Sequence, residues 1–271
     1  MCVALIGLAR DRIYTTDEDR ALFEKYLTEM ESKKDLPMGQ LITESALFFL
    51  GTPYVASTLE KEPEGLVANL HEMDCATLVD NVIALSRTIK GNNPSFDNYC
   101  RNLRQLRYQE GVITDYLSRL HYTSDWVYVN DKRKIVRDIN KEIGGVPITF
   151  DLSFMSTHPD SYRQLKGNPA FVKEIAGKEK EISARTAYHF IPKDKIADYG
   201  GKMQSGDMVC FTTGVKGLDT SHVGFVYWEG ERLTFIHASS LQKKVVVDSN
   251  TLEEYVQKGK NSTGIMLARP L

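Results

Sequence analysis

Cys75, His222 and His237 are the residues whose types and surroundings could carry nucleophilic chemistry in this chain of 271 residues. Asp74 stands at an N-cap position, and Leu78, Val79, Val82, Ile83, Leu85 and Ile89 follow at helical spacing until Gly91 stops the run. Cys75 is therefore expected in the first turn of a buried helix, where unpaired backbone N–H groups and the positive end of the helix dipole favour a thiolate. A thiolate needs a base nearby. Trp228-Glu-Gly-Glu-Arg-Leu233 reads as a hairpin turn, and a two-residue loop at Glu229-Gly230 would set His222 directly opposite His237, with Cβ atoms ~5 Å apart. A loop one position later, or a four-residue loop, moves the partner by two residues and keeps both rings on one face; an odd loop separates them. The pairing suits a general base, His222, whose far nitrogen is oriented by a second imidazole, His237.

The elements that must hold these residues divide the chain into two styles. Thr16-Asp17 caps a helical run through Glu31, Leu41, Ala46, Leu47 and Leu50 form an apolar stripe ending at Gly51, and a further helical pattern runs from about Phe96 to Tyr108. Asn168, Pro169 and Gly177 predict a short helix over Pro169–Ala176. From Asp207 the period becomes two, over Met208–Thr212, His222–Trp228, Leu233–His237, Lys244–Val247 and Gly264–Ala268, which predicts an antiparallel meander. Helices first and a meandering sheet afterwards indicate an α+β fold.

The bulk properties narrow the partners. With 42% hydrophobic and 26% charged residues the chain reads as globular, and a formal net charge of −2 without a dense basic run argues against nucleic acid. No apolar run approaches the ~20 residues of a membrane span. Residues 1–9, Met-Cys-Val-Ala-Leu-Ile-Gly-Leu-Ala, are apolar and end in a small-x-small triplet before Arg10, so they read either as a signal-peptide remnant or as an ordinary apolar N-terminus. The first reading places the protein in the periplasm or cell envelope, the second in the cytoplasm. The four cysteines, Cys2, Cys75, Cys100 and Cys210, form no Cys-x-x-Cys pair, and no His-Glu-x-x-His occurs, so no metal site is expected; a Cys100–Cys210 bridge is formally possible, with buried free thiols the commoner state.

Five blocks in order, Leu50-Gly-Thr-Pro-Tyr-Val55, Met73-Asp-Cys-Ala-Thr-Leu78, Gln204-Ser-Gly-Asp-Met-Val-Cys-Phe211, Ser221-His-Val-Gly-Phe225 and Ile236-His-Ala-Ser239, resemble the recurrent motifs of NlpC-type bacterial cell-wall cysteine peptidases. The length, the Asp-Cys-Ala-Thr block and the Leu120-His-Tyr-Thr-Ser-Asp-Trp126 segment look most like the branch similar to N-acetylmuramoyl-L-alanine amidases. The resemblance implies a papain-like core, a single catalytic domain over 10–271 with an insertion around 108–200, a nucleophile at Cys75, a base at His222 and a third polar residue at His237. It further implies that Tyr54 stands beside the thiol, where its hydroxyl can join the Cys75 N–H in holding an oxyanion.

Stem-peptide cutters of this superfamily usually carry Ser after the Asp-Cys pair, to help hold a free L-Ala amine; this chain has Ala76. An enzyme that cuts between muramic acid and L-Ala meets no free amine there, which favours the amidase reading and leaves Asp74 as a helix cap. The expected substrate is a small, soluble muropeptide, sugar plus stem peptide, with anhydro sugar ends included, acted on by a monomer without cofactor. Tyr122 and Trp126, four residues apart, could present aromatic faces to a sugar ring, with core packing the alternative; His121 adjoins them, and Arg185, Tyr188 and His189 are weaker candidates. His71 and His158 read as structural or exposed. The competing functions are a D-Glu/diamino acid endopeptidase with the same triad and a cell-wall binding protein without turnover.

Overall fold

Polar caps set where the helices begin. In the computed structural model, which describes residues 12–271, Thr16 forms a capping box with Asp19 at the start of α1 (Asp17–Met30). The apolar stretch 1–9 and Cys2 lie outside the described residues. A short parallel pair, β1 (Ile13–Tyr14) and β2 (Leu66–Val67), flanks α2 (Met38–Phe48) in sequence. Asp74 opens α3 (Cys75–Lys90): its Oδ1 accepts the Thr77 N–H at 2.8 Å, and Thr77 Oγ1 accepts the Asp74 N–H at 2.9 Å. Ser95 then caps α4 (Phe96–Arg107).

Residues 108–200 are woven into the same body. They supply α5 (Thr123–Lys132), β3 (Val136–Asp138), β4 (Val146–Pro147), α6 (Phe154–Thr157), α7 (Pro169–Ser183), β5 (His189–Pro192) and α8 (Ile196–Tyr199). α7 continues past Gly177, where a side chain would meet open space, because Ile175, Glu179 and Ile182 on its other side are buried. Tertiary burial thus overrides the ~1 kcal/mol helix cost of a glycine.

The final stretch carries β6 (Met208–Thr213), β7 (Thr220–Glu229), β8 (Arg232–Ser239), β9 (Lys244–Val247), α9 (Leu252–Lys258) and β10 (Ser262–Pro270). β6 to β9 form the expected meander. β10 does not join β9; it returns to lie between β5 and β6, giving the order β4-β5-β10-β6-β7-β8-β9, with β3 also on β10. The detour has a cause: α9 crosses the sheet and buries Leu252 and Val256 against Phe211, Val226, Phe235 and Leu267.

The sheet is therefore covered on both faces. Met208, Cys210, Val223, Phe225 and Ile236 face the helical layer around α3, while the alternate residues face α9. Leu78, Val79, Val82, Ile83, Leu85 and Ile89 of α3 are all buried, each contributing ~1.5–3 kcal/mol. The helix that carries Cys75 is thereby fixed by the core. Mixed helices and an antiparallel sheet make the fold α+β. Among the described residues, Cys75, Cys100 and Cys210 are free thiols, and no helix is long and apolar enough to cross a membrane.

Candidate active site

Cys75 occupies the first position of α3, half-buried where that helix meets β7. Its sulfur lies against the backbone N–H of Val223, the neighbour of His222, and near the N–H groups of Ala76 and of Cys75 itself. These donors favour the thiolate, as the sequence leads one to expect of a helix end. Burial, aided by the negative charge of Asp74, acts the other way and is stronger, pushing the thiol up to about 12. The resting group is a neutral thiol.

The histidines come together one register away from the direct pairing. Glu229 pairs with Arg232, so the loop is Gly230-Glu231, and Gly230 has φ +60°. Glycine at the first loop position suits a type II′ turn. Continuing that register sets Gly224 across from His237 and leaves His222 on the diagonal. Gly224 is required there: a Cβ on it would stand 2.7 Å from the Ile236 carbonyl and 3.1 Å from the His237 Cβ. Between Phe211↔His222 and Thr212↔Thr220 the ladder slips, leaving Ser221 as an extra residue beside His222, a bulge that re-aims the neighbouring side chain.

His222 Nε2 and His237 Nδ1 are 2.6 Å apart, and His237 Nε2 lies 3.1 Å from Asp248 Oδ2. The other oxygen, Asp248 Oδ1, accepts from the Asn250 backbone N–H at 2.8 Å and its side-chain amide at 2.9 Å. Phe211, Phe235 and Tyr255 surround the rings, with Phe235 4.5 Å from His237 between centroids. Burial among these aromatics, then the neighbouring His237, brings His222 down to about 3. His237 is also lowered by burial, against the opposing pull of Asp248. Both are neutral imidazoles at neutral pH.

Tyr54 lies near the thiol, on a loop laced to two elements. Its N–H donates to the Lys243 carbonyl at 2.9 Å, Gly51 and Thr52 exchange hydrogen bonds with Val245 of β9, and Pro53 and Val55 bond Met73, two residues before Cys75. Burial and the nearby Cys75 and Asp74 raise the Tyr54 hydroxyl above its ordinary value, keeping it a donor.

Two clefts open beside these residues. One, of about 610 Å³, is bounded by Asp74, Ala76 and Val223 at the thiol and walled by Trp126, Tyr116 and His121. The other, of about 310 Å³, opens on His222, His237 and Tyr255. Trp126 is held in the wall by Nε1 donating to Asp80 Oδ1 at 3.1 Å, and Asp80 is itself paired with Arg107 at 2.9 Å. His121 Nε2–H donates to the Tyr116 carbonyl at 2.9 Å, and burial brings the ring down to about 3.

The aromatic pair expected at one face is split. Tyr122 is buried outside the large cleft, donating to Glu179 Oε1 at 2.6 Å and accepting the Met155 N–H, because it caps α5 at the junction with α6 and α7. Arg185 is also drawn away from the cleft, to Asp125 Oδ1 at 2.6 Å and the face of Tyr128. Tyr188 is buried beside it, and His189 bonds the Ala187 carbonyl. His71 is structural, bonded to Asp19 at 2.7 Å, and His158 lies exposed on Phe154. Among the described residues no cluster of metal-ligating side chains is found.

Sequence reasoning missed Asp248, Gly224, Tyr255 and the Asp80–Arg107 pair. A signal for Asp248 existed: His237 pairs with Val246, so period two puts Asp248 on the same face one step along β9's direction.

The arrangement has relatives of known structure. A crystal structure described as an N-acetylmuramoyl-L-alanine amidase from Bacteroides uniformis aligns at 34% identity with a TM-score of 0.83, over 86% of this chain and 98% of that one. A Bacteroides fragilis structure bearing a xylanase name aligns at 36% identity and a TM-score of 0.80, over 83% and 99%. A Legionella pneumophila protein at 21% identity, with a TM-score of 0.69 over 94% of each chain, shares the fold. No curated protein matches. The AmiA-like profile, described as N-acetylmuramoyl-L-alanine amidase-like, matches residues 44–265. The chain belongs to this N-acetylmuramoyl-L-alanine amidase-like family.

Proposed function

We propose that this protein is a papain-like, cysteine-dependent amidase that splits the lactyl amide between muramic acid and L-Ala in small, soluble muropeptides. The observation that carries the reading is a helix-end thiol against the strand residue next to His222, with a line of two histidines and a carboxylate behind, one cleft bordering the helix end and another the histidines. A substrate with a sugar on one side of the scissile bond and a peptide on the other needs two such spaces. The larger one lies within the usual range for small-molecule sites, roughly 300–1,000 Å³, and its Trp126 and Tyr116 walls suit the apolar faces of a sugar ring.

In this mechanism Cys75 Sγ attacks the lactyl carbonyl carbon as its proton passes to His222. The Cys75 N–H and the Tyr54 hydroxyl hold the oxyanion. His222 then protonates the L-Ala nitrogen, the C–N bond breaks, and the stem peptide leaves with a free amine. Water, deprotonated by the same His222, hydrolyses the thioester and restores the thiol. Ala76 and the capping role of Asp74 support this bond over one inside the stem, where a free amine would need a polar partner.

A glycosidase reading, raised by one relative's name, finds little support in the carboxylates. Glycoside hydrolysis needs two carboxyl groups free to work as acid and base or nucleophile. Those lining the large cleft are engaged: Asp74 with Thr77, Asp80 with Arg107 and Trp126, Glu60 with Arg119.

The test is mass spectrometry of purified muropeptides incubated with the protein and with Cys75→Ala. Free sugar plus an intact stem peptide beginning at L-Ala, at a rate at least ~10⁴-fold lower in the variant, is the expected result. A cut within the stem would make it an endopeptidase, and unchanged substrate would make it a binding protein.

A further inference from the structure

The line of hydrogen bonds behind His222 has a direction, and its last member sets it. An ionised carboxylate only accepts, so the contact between Asp248 Oδ2 and His237 Nε2 places the proton on that nitrogen. A neutral His237 then has a bare Nδ1. The 2.6 Å contact requires His222 Nε2 to donate to it, which leaves His222 Nδ1 bare. Among the described residues that nitrogen has no hydrogen-bond partner, so it is the one left free to accept a proton.

Resting on the reading of Cys75 as nucleophile and His222 as base, we infer that Asp248 is the positioning residue that selects the base-competent tautomer of His222 through His237. Asp248 acts through His237 and lies buried at the end of the line. Its own orientation is fixed by Asn250, whose backbone and side-chain N–H groups both donate to Oδ1 and so hold Oδ2 towards His237.

Asn250 makes the inference testable with an isosteric change. In Asp248→Asn the two Asn250 donors demand the carbonyl oxygen at the Oδ1 position, which turns the introduced NH₂ towards His237. That group donates, so His237 must accept through Nε2, carry its proton on Nδ1 and donate to His222 Nε2. His222 would then hold a proton on Nδ1 and could not act as base. Asp248→Ala removes the bias and leaves a mixture of tautomers.

The experiment pairs ring-¹⁵N NMR of histidine-labelled full-length protein with muropeptide kinetics. In the wild type both rings are expected to be protonated at Nε2 only; in Asp248→Asn both should carry the proton at Nδ1. The Asn variant should lose ~10²-fold or more in kcat, with KM changed less than about threefold, and should be slower than Asp248→Ala. A purely structural role predicts the opposite order, since Asn preserves shape and Ala leaves a void. His222 remaining protonated at Nε2 in the Asn variant, or an Asn variant faster than the Ala variant, would overturn the inference. The NMR result needs no turnover, so a wild type inactive on muropeptides with the predicted tautomer switch would count against the amidase and not against Asp248.

Discussion

On the sheet side of Cys75, polar groups run in one open line from His222 through His237 to Asp248, while on the wall built by α3, α4 and residues 108–200, charges are buried as closed pairs. Asp80 meets Arg107 at 2.9 Å, Glu64 meets Arg119 at 2.7 Å, and Asp125 meets Arg185 at 2.6 Å. In the line, each partner consumes one ring nitrogen and one remains for chemistry. In the pairs, charge is cancelled where it stands, which fixes a shape and frees nothing. The candidate site thus has one part with a ring nitrogen left free and one part that only holds a shape.

Breaking the wall should therefore cost stability first. Arg107→Ala would leave Asp80 buried without its cation and lower unfolding free energy by about 3–5 kcal/mol, measured by urea titration, while the kcat of molecules that remain folded changes less. A loss below about 1 kcal/mol would show that the pair is not what holds Trp126 in place. On the other side, Gly224→Ala forces a methyl into the Ile236 carbonyl and the His237 Cβ. Stability should fall by about 1–3 kcal/mol, but kcat in the folded fraction should fall at least as much as the wall variant's does. Equal kcat with wild type would mean that the diagonal pairing tolerates repacking.

The smallest effect tests the neutral state of the rings. His222 and His121 titrate near 3 in the folded protein, below the ~6.5 of an unfolded histidine. Their full contribution is present above that value and is lost as pH falls through it, because the unfolded chain takes up protons that the buried rings refuse. Between pH 7 and pH 6 each should cost about 0.7 kcal/mol, read as a lower urea midpoint. A midpoint unchanged over that interval would place charge in the line or on the wall.

The sequence carried the sheet side well. Asp74 and Gly91 bracket α3 as expected, and period two put His222 and His237 on one face even though the loop lies one residue later than the direct pairing requires. The same parity step, taken once more across β8 and β9, would have reached Asp248. The wall was less legible, because its contacts join residues far apart in the chain, as Tyr122 to Glu179 and Trp126 to Asp80 do. Helical spacing places Tyr122 and Trp126 together, but it cannot tell which aromatic meets a cleft and which meets another helix. The return of β10 to β6 was hidden for a related reason: strand order depends on what α9 covers.

The Tyr54 loop ties β9, which leads to Asp248, to Met73, which leads to Cys75. The proposed nucleophile and the histidine line thus belong to one cooperative opening unit, although they sit on different elements. Amide exchange at Gly51, Tyr54, Met73 and Val245 should then slow and quicken together, and the protein should have no partly opened state in which the thiol is exposed to oxidants while the histidine line stays intact.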